Sequence, residues 1–408
     1  MRRALVVFHR VAGLFTASFL FMAGVSGAVI AWDHELDELL NPRLLRVESG
    51  APVDGETILS LANAYERREG EKITYLPLSV ADGRSLGVFV RGAADRPSRP
   101  LQVFLHPKHG EILGRRVWGE PRLSRENLLP WLYRLHESLH VPPRFGLELG
   151  VLWMGMIAVF WCVDIVISLA ISFPPGAPMR HAFTFHLRGT SARRWFDLHR
   201  SLGVWISLPL LVLAVSGASL SLDAPIIRPI LAKVLALTPT PAESRAADVM
   251  RVPSTLAITR ESAVSLASIE ARKRDIRERP GALWHDVESG IIGVGFFAAG
   301  DEHPSYALGH SWVYLDDATG GCLAVDQPGR GTMADTFLRA QYSLHSGRIG
   351  GTGGRVLVSL LGVLVASLAV TGVRLYVRRN MRRRRSARDA CVSRIERGQG
   401  FETESKNA

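Results

Sequence analysis

The sequence predicts a membrane α-helical protein: a bundle of four spanning helices with two exported α+β domains, internally duplicated as span, domain, span, twice over. Three observations predict it. Four segments are apolar for the roughly 20 residues that a bilayer crossing needs. Arginines collect at one end of every such segment, and the first and third segments share a sequence register. The chain has 408 residues, 47% of them apolar, and 3 cysteines, which excludes a disordered chain and a disulfide scaffold.

The apolar segments are 11–32, 151–173 with Asp164 inside it, 202–222, and 356–373, the last prolonged by 375–377 beyond Arg374. They divide the chain into a first span unit 1–32, an exported domain 33–134, a second span unit 135–173, a link 174–197, a third span unit 198–222, a second exported domain 223–340, a fourth span unit 341–377, and a basic tail 378–408. Residues 1–30 also have the outline of a signal peptide. Their apolar run exceeds the usual 7–15 residues, however, and His9-Arg10 interrupts its start, so a retained helix is expected.

Charge sets the direction. Arg2, Arg3 and Arg10 precede the first span; five arginines against the single acid Asp197 occupy the link and the start of the third; seven lie within 378–388, directly after the fourth. By the positive-inside rule these stretches, and both termini, are cytoplasmic, while the charge-balanced segments 33–140 and 223–344 lie outside. The net charge of +11 is therefore topological, and no nucleic-acid role is read from it.

Span one reads HRVAGLFTASFLFMAGVSGAVIAWD from His9, and span three reads HRSLGVWISLPLLVLAVSGASLSLD from His199. His-Arg, the glycine four residues on, Val-Ser-Gly-Ala and the closing Asp coincide, which chance likeness of two apolar helices does not produce. The exported segments repeat as well. Residues 103–113 and 313–323 each read as strand, polar turn with Gly, strand, which is a hairpin signature. Helical patterns, 57–68 and 261–274, lie upstream of each; the Pro-bearing stretches 97–100 and 238–241 read as surface loops.

A polar ring beside a membrane helix is costly without a partner, so the flanking histidines are functional candidates. His9 and His199 open their spans from the cytoplasmic side; His136 or His140, and His345, precede theirs from outside. Two imidazoles on different helices at one depth can be the axial ligands of a haem. Two such pairs, His9 with His199 and His136 or His140 with His345, imply two haems and an electron path across the bilayer. His136 and His140, spaced i, i+4, fall on one helix face, so both could line one site. No Cys-x-x-Cys-His occurs, so the haem is of b type. A di-metal centre lacks carboxylates beside the histidines, and a Cys/His zinc site lacks support. Cys162, Cys322 and Cys391 cannot pair within the chain, and Cys322 is expected in the core of its hairpin. Asp164 needs a partner, for which Arg374 is the candidate in an intramembrane ion pair. His181 and His186 are expected at the membrane surface.

These residues resemble the PepSY-associated transmembrane family of bacterial inner-membrane proteins. The resemblance rests on His9-Arg10, the run from Leu135-His136-Glu137 to Leu139-His140-Val141-Pro142, Phe183-Thr184-Phe185, Arg194-Trp195-Phe196-Asp197-Leu198-His199, and both hairpins, which look like the strand–turn–strand ending of PepSY domains. It implies two periplasmic PepSY-like domains and a link to iron uptake, some members looking like di-haem reductases of ferric siderophores. A flavin/NADPH reductase fusion, found in other members, is absent. Asp164 stands where the family usually has a small residue, and Cys322 lies in the second PepSY hairpin. The expected function is an oxidoreductase passing electrons from quinol or a cytoplasmic reductase to a ferric siderophore or chelate. A haem-free PepSY binding or regulatory protein, and a siderophore permease, are the alternatives.

Overall fold

The structure, a computed structural model, describes residues 1–50, 53–91, 100–185, 190–247, 258–303 and 307–404. Most of the predicted loop 97–100, and His186, fall outside them. The first half comprises helices α1 (Arg2–Ile30), α2 (Asp33–Leu40), α3 (Pro42–Leu45) and α4 (Gly55–Glu69), then strands β1 (Lys72–Pro77), β2 (Leu86–Arg91), β3 (Leu101–Leu105) and β4 (Ile112–Val117). Helices α5 (Leu128–Ser138), α6 (Leu149–Ser172) and α7 (Arg180–Phe183) lead to α8 (Ser191–Trp205) and α9 (Ser207–Ser221). Helices α10 (Arg228–Val234), α11 (Pro241–Ala247) and α12 (Arg260–Lys273) follow. Strands β5 (Pro280–Asp286), β6 (Ile291–Phe296), β7 (Ser311–Asp316) and β8 (Cys322–Asp326) precede α13 (Met333–His345) and α14 (Gly351–Glu404).

Three helices, α1, α6 and α14, are each long and apolar enough to cross a membrane, and α8 with α9 forms a fourth candidate bent by 66°. Along the sequence the third span is one apolar segment, 202–222. The bend has a local cause: Pro209 has no N–H for the carbonyl of Trp205, and its ring crowds that carbonyl, so the helix breaks around Ile206. The helix of the fourth span extends well past the expected apolar stretch, into the basic tail.

The chain divides into two compact units. One comprises Met1–Val25, Met156–Val215 and the chain from Leu361 on. Ile165, Leu210, Ala214, Leu361 and Val365 form its apolar core. Val11, Val163, Val212 and Val363 stay exposed, as suits side chains in contact with lipid. At Gly24 a Cβ would lie 2.5 Å from the Gly362 carbonyl oxygen, so α1 and α14 touch backbone to backbone, the close approach that small residues permit between membrane helices.

The other unit, Ser26–Gly155 with Ser216–Leu360, holds one antiparallel eight-stranded sheet in the order β4-β3-β2-β1-β5-β6-β7-β8. Both expected hairpins form, as β3–β4 and β7–β8. The segments 33–134 and 223–340 meet where β1 pairs with β5, Tyr75 opposite Trp284 and Leu76 opposite Leu283. A single hydrophobic core therefore spans both, with Ile58, Ala62 and Tyr65 from α4 and Ala263, Ala267 and Ala271 from α12 packed on strand residues such as Leu76, Val88, Leu283 and Val294. Both helices fall where the sequence puts them. The Asp54 side chain accepts the Thr57 N–H at the start of α4, and left-handed Gly70 ends it. Thr259 caps α12. Arg116 on β4 makes a bidentate pair with Asp37 on α2 (3.0 and 2.7 Å), both buried. Cys322, expected in the core, is exposed, because it opens the edge strand β8.

Candidate functional site

Four imidazoles meet in two pairs, each pair inside one unit. The His9 ring, on α1, faces that of His199, on α8, with centroids 6.2 Å apart and planes inclined at 49°. The His136 ring, on α5, faces that of His345, at the end of α13, at 6.1 Å and 57°. Both pairings are among those expected from the sequence, which left His136 and His140 open as the partner of His345.

Each ring is held through Nδ1. His136 Nδ1 lies 3.0 Å from Ser26 Oγ and His345 Nδ1 lies 3.0 Å from Ser216 Oγ. His199 Nδ1 lies 2.8 Å from Thr371 Oγ1. His9 Nδ1–H donates to Asp164 Oδ1 at 2.9 Å. Ser26, Ser216, Thr371 and Asp164 are all buried. A glycine follows each hydroxyl, and it lets the ring lie flat on the helix. A Cβ at Gly27 would come within 2.9 Å of His136 Cε1, at Gly217 within 3.1 Å of His345 Cε1, and at Gly372 within 3.2 Å of His199 Cε1. The Val-Ser-Gly-Ala block repeated in spans one and three is thus the seat of His136 and His345. The repeat was visible in the sequence; its use required knowing which ring each helix meets.

His140 is placed differently. The pair Pro142-Pro143 disfavours helix ahead of it, so α5 ends at Ser138, and Leu139 and His140 both take left-handed backbone with φ of 56°. The two histidines therefore do not share a helix face. His140 Nε2–H donates to the Trp131 carbonyl at 2.9 Å, with its ring 5.1 Å from the indole. It is His136 whose ring faces His345.

The expected Asp164–Arg374 ion pair does not form. Asp164 pairs with His9, and the Arg374 guanidinium lies over the Trp195 ring, 4.1 Å from its centroid. The rotation of α6 and α14 about their axes decides this, and opposite charge in two spans does not reveal it. The His181 carbonyl accepts from Arg200, and the Thr184 carbonyl from Ser201, which ties the link to α8.

The second unit carries a further ion pair, between buried Arg355 and exposed Glu35. Arg355 Nη1 and Nη2 reach Glu35 at 2.7 and 2.6 Å, and its Nε–H donates to the Ala31 carbonyl. That guanidinium pulls the Glu35 carboxyl down to about 2. His303 stacks on His34, centroids 5.4 Å apart, both residues keeping an exposed face, and desolvation with the nearby His34 charge lowers the His303 pKa. Sequence reading singled out neither ring, although His34 stands two residues beyond the first apolar segment. Among the described residues no three His, Cys, Asp or Glu side chains converge to hold a lone metal ion; the histidines come in twos.

No curated protein matches the chain. The family signature that does match, the PepSY-associated TM region, runs over residues 6–379. With that match over most of its length, the chain belongs to the PepSY-associated TM region family.

Proposed function

We propose that this protein carries two b-type haems in the bacterial inner membrane and passes electrons through them to a ferric siderophore or chelate in the periplasm. The observation that carries this reading is the spacing of the two imidazole pairs. In each pair the rings come from different helices and their centroids stand 6.2 and 6.1 Å apart, a spacing at which both would hold one haem iron between them. Nδ1 contacts with a side-chain oxygen support the reading too, since a ligating histidine normally donates its other N–H to such a group, which orients the ring.

His9 with His199, and His136 with His345, would hold the haems through Nε2. Bound haem supplies reversible one-electron transfer, for which the chain needs no nucleophile or general base. Asp164, Thr371, Ser26 and Ser216 orient the four rings, and Gly27, Gly217 and Gly372 leave room for three of them. The arginine-rich ends belong in the cytoplasm by the positive-inside rule, which leaves the sheet in the periplasm as the surface that meets the chelate. Reduction releases the metal because Fe(II) binds hard oxygen donors more weakly than Fe(III) does. Quinol or a cytoplasmic reductase would be the donor. The bend at Ile206 suits a permease, but Ile206 and Leu210 lie in an apolar cluster and offer no polar path.

The test uses haem-loaded protein in detergent, reduced with dithionite, freed of excess reductant, and mixed anaerobically with ferric citrate or a ferric hydroxamate beside a colorimetric Fe(II) trap. The reading expects the ferrous haem bands to disappear with one Fe(II) trapped per electron lost. Ferrous haem that persists with both chelates would overturn it.

A further inference from the structure

Three of the four facing imidazoles rest on a hydroxyl followed by glycine: His136 on Ser26-Gly27, His345 on Ser216-Gly217, and His199 on Thr371-Gly372. The fourth seat departs from this. His9 rests on the carboxylate of Asp164, and Ile165 stands where the other seats have glycine. Asp164 is 7% exposed, and Ile165 beside it belongs to the apolar cluster with Leu210, Leu361 and Val365. Arg374, the arginine expected from the sequence to pair with Asp164, is engaged over Trp195.

The chemistry of the two kinds of seat differs. A hydroxyl both donates and accepts, so it perturbs an imidazole little; a carboxylate only accepts. A carboxylate on Nδ1–H makes the imidazole a stronger electron donor through Nε2. Its negative charge, in surroundings of low dielectric, also favours the more positive state of a metal bound there. Both effects stabilise ferric over ferrous iron, and both act at only one of the two sites.

Resting on the haem reading above, we propose that Asp164 is a positioning residue that makes the His9–His199 site the lower-potential of the two. An electron arriving there from a quinol-class donor then moves downhill to the His136–His345 site. One iron goes from ferrous to ferric, the other from ferric to ferrous, and no proton or bond is exchanged. The asymmetry gives the path a direction that two identical sites would lack.

Optical redox titration of haem-loaded protein tests this. In His345→Ala only the His9–His199 haem remains, and in His199→Ala only the other; the first variant is expected to titrate at the lower potential. In full-length Asp164→Asn and Asp164→Ser, the latter recreating the hydroxyl of the other seats, the lower step is expected to rise by at least 59 mV. That is a tenfold shift of a one-electron equilibrium. The higher step stays in place. The proposal is overturned if His345→Ala titrates at or above His199→Ala, or if both Asp164 variants leave the lower step unmoved. Should the Asp164 variants lose haem at that site, the comparison of the two histidine variants still decides. Wild-type protein without haem sinks the functional reading itself; two haems of equal potential sink only the role given to Asp164.

Discussion

Replacing Gly27 by alanine puts a methyl group where the His136 ring now lies. The new Cβ would sit 2.9 Å from His136 Cε1, whereas carbon atoms rest about 3.5–4.0 Å apart, so the ring must retreat by roughly 0.6–1.1 Å. A metal–imidazole bond tolerates about 0.2 Å, and the ring is tethered to Ser26 next door. Gly27→Ala should therefore cost the protein one of its two haems. The fold should survive, since overpacking of this size costs about 1–3 kcal/mol. The same change at Gly217 and Gly372, where the contacts would be 3.1 and 3.2 Å, should act in the same direction and less severely. Gly203→Ala is the control, because its Cβ meets only Leu368 at 3.9 Å. Haem per chain by pyridine haemochromogen, with far-ultraviolet circular dichroism to confirm folding, reads the series. A Gly27→Ala protein that keeps two haems with an unchanged spectrum would refute the reasoning about ring placement.

Other expectations follow from the same geometry. Ser26→Ala and Ser216→Ala should each weaken haem binding at one site by about 10–100-fold, as losses of such orienting partners do; haem titration of the apoprotein measures it, and Ser26→Thr should retain affinity, since Thr371 holds His199 in the same way. Desolvation and the neighbouring His34 and Arg348 charges lower the pKa of the His303 imidazole from 6.5, although the residue keeps an exposed face. Below pH 6.5 the unfolded chain therefore binds a proton that the folded chain takes up less readily, and stability falls modestly with falling pH, because solvent screens the exposed ring. Thermal melts of His303→Asn should show a shallower acid limb than wild type, and identical limbs would contradict the assignment.

The parts of the fold that local pattern controls were legible. Helices α4 and α12 and both hairpins follow from periodicity and turn residues, and five flanking histidines, His140 among them, stand out as polar rings beside the spans. Longer-range features were hidden for physical reasons. The pairing of β1 with β5 joins strands about 200 residues apart through backbone hydrogen bonds that leave no turn signal between them. The partner of Asp164 depends on helix rotation, and a charged residue in a span shows only that some partner exists. Pro142-Pro143 and Pro209 marked the end of α5 and the break before α9 in plain view. Their consequences, the turning of His140 toward Trp131 and the bend of 66°, needed the backbone to be followed residue by residue. Ser26 and Ser216 lay in the most conspicuous repeated block of the chain; what hid their role was that a small hydroxyl residue in a membrane helix serves close packing as readily as it serves a ring on the next helix.

The central claim is that facing imidazoles grip iron porphyrin at two places, and the absorption spectrum addresses it with the least intervention. Protein expressed with ample haem and purified in detergent should show a six-coordinate low-spin Soret band that shifts on adding dithionite, with two haems per chain. His345→Ala and His199→Ala should each keep one haem. A well-folded preparation with no Soret band, or histidine variants that retain both haems, would contradict the account.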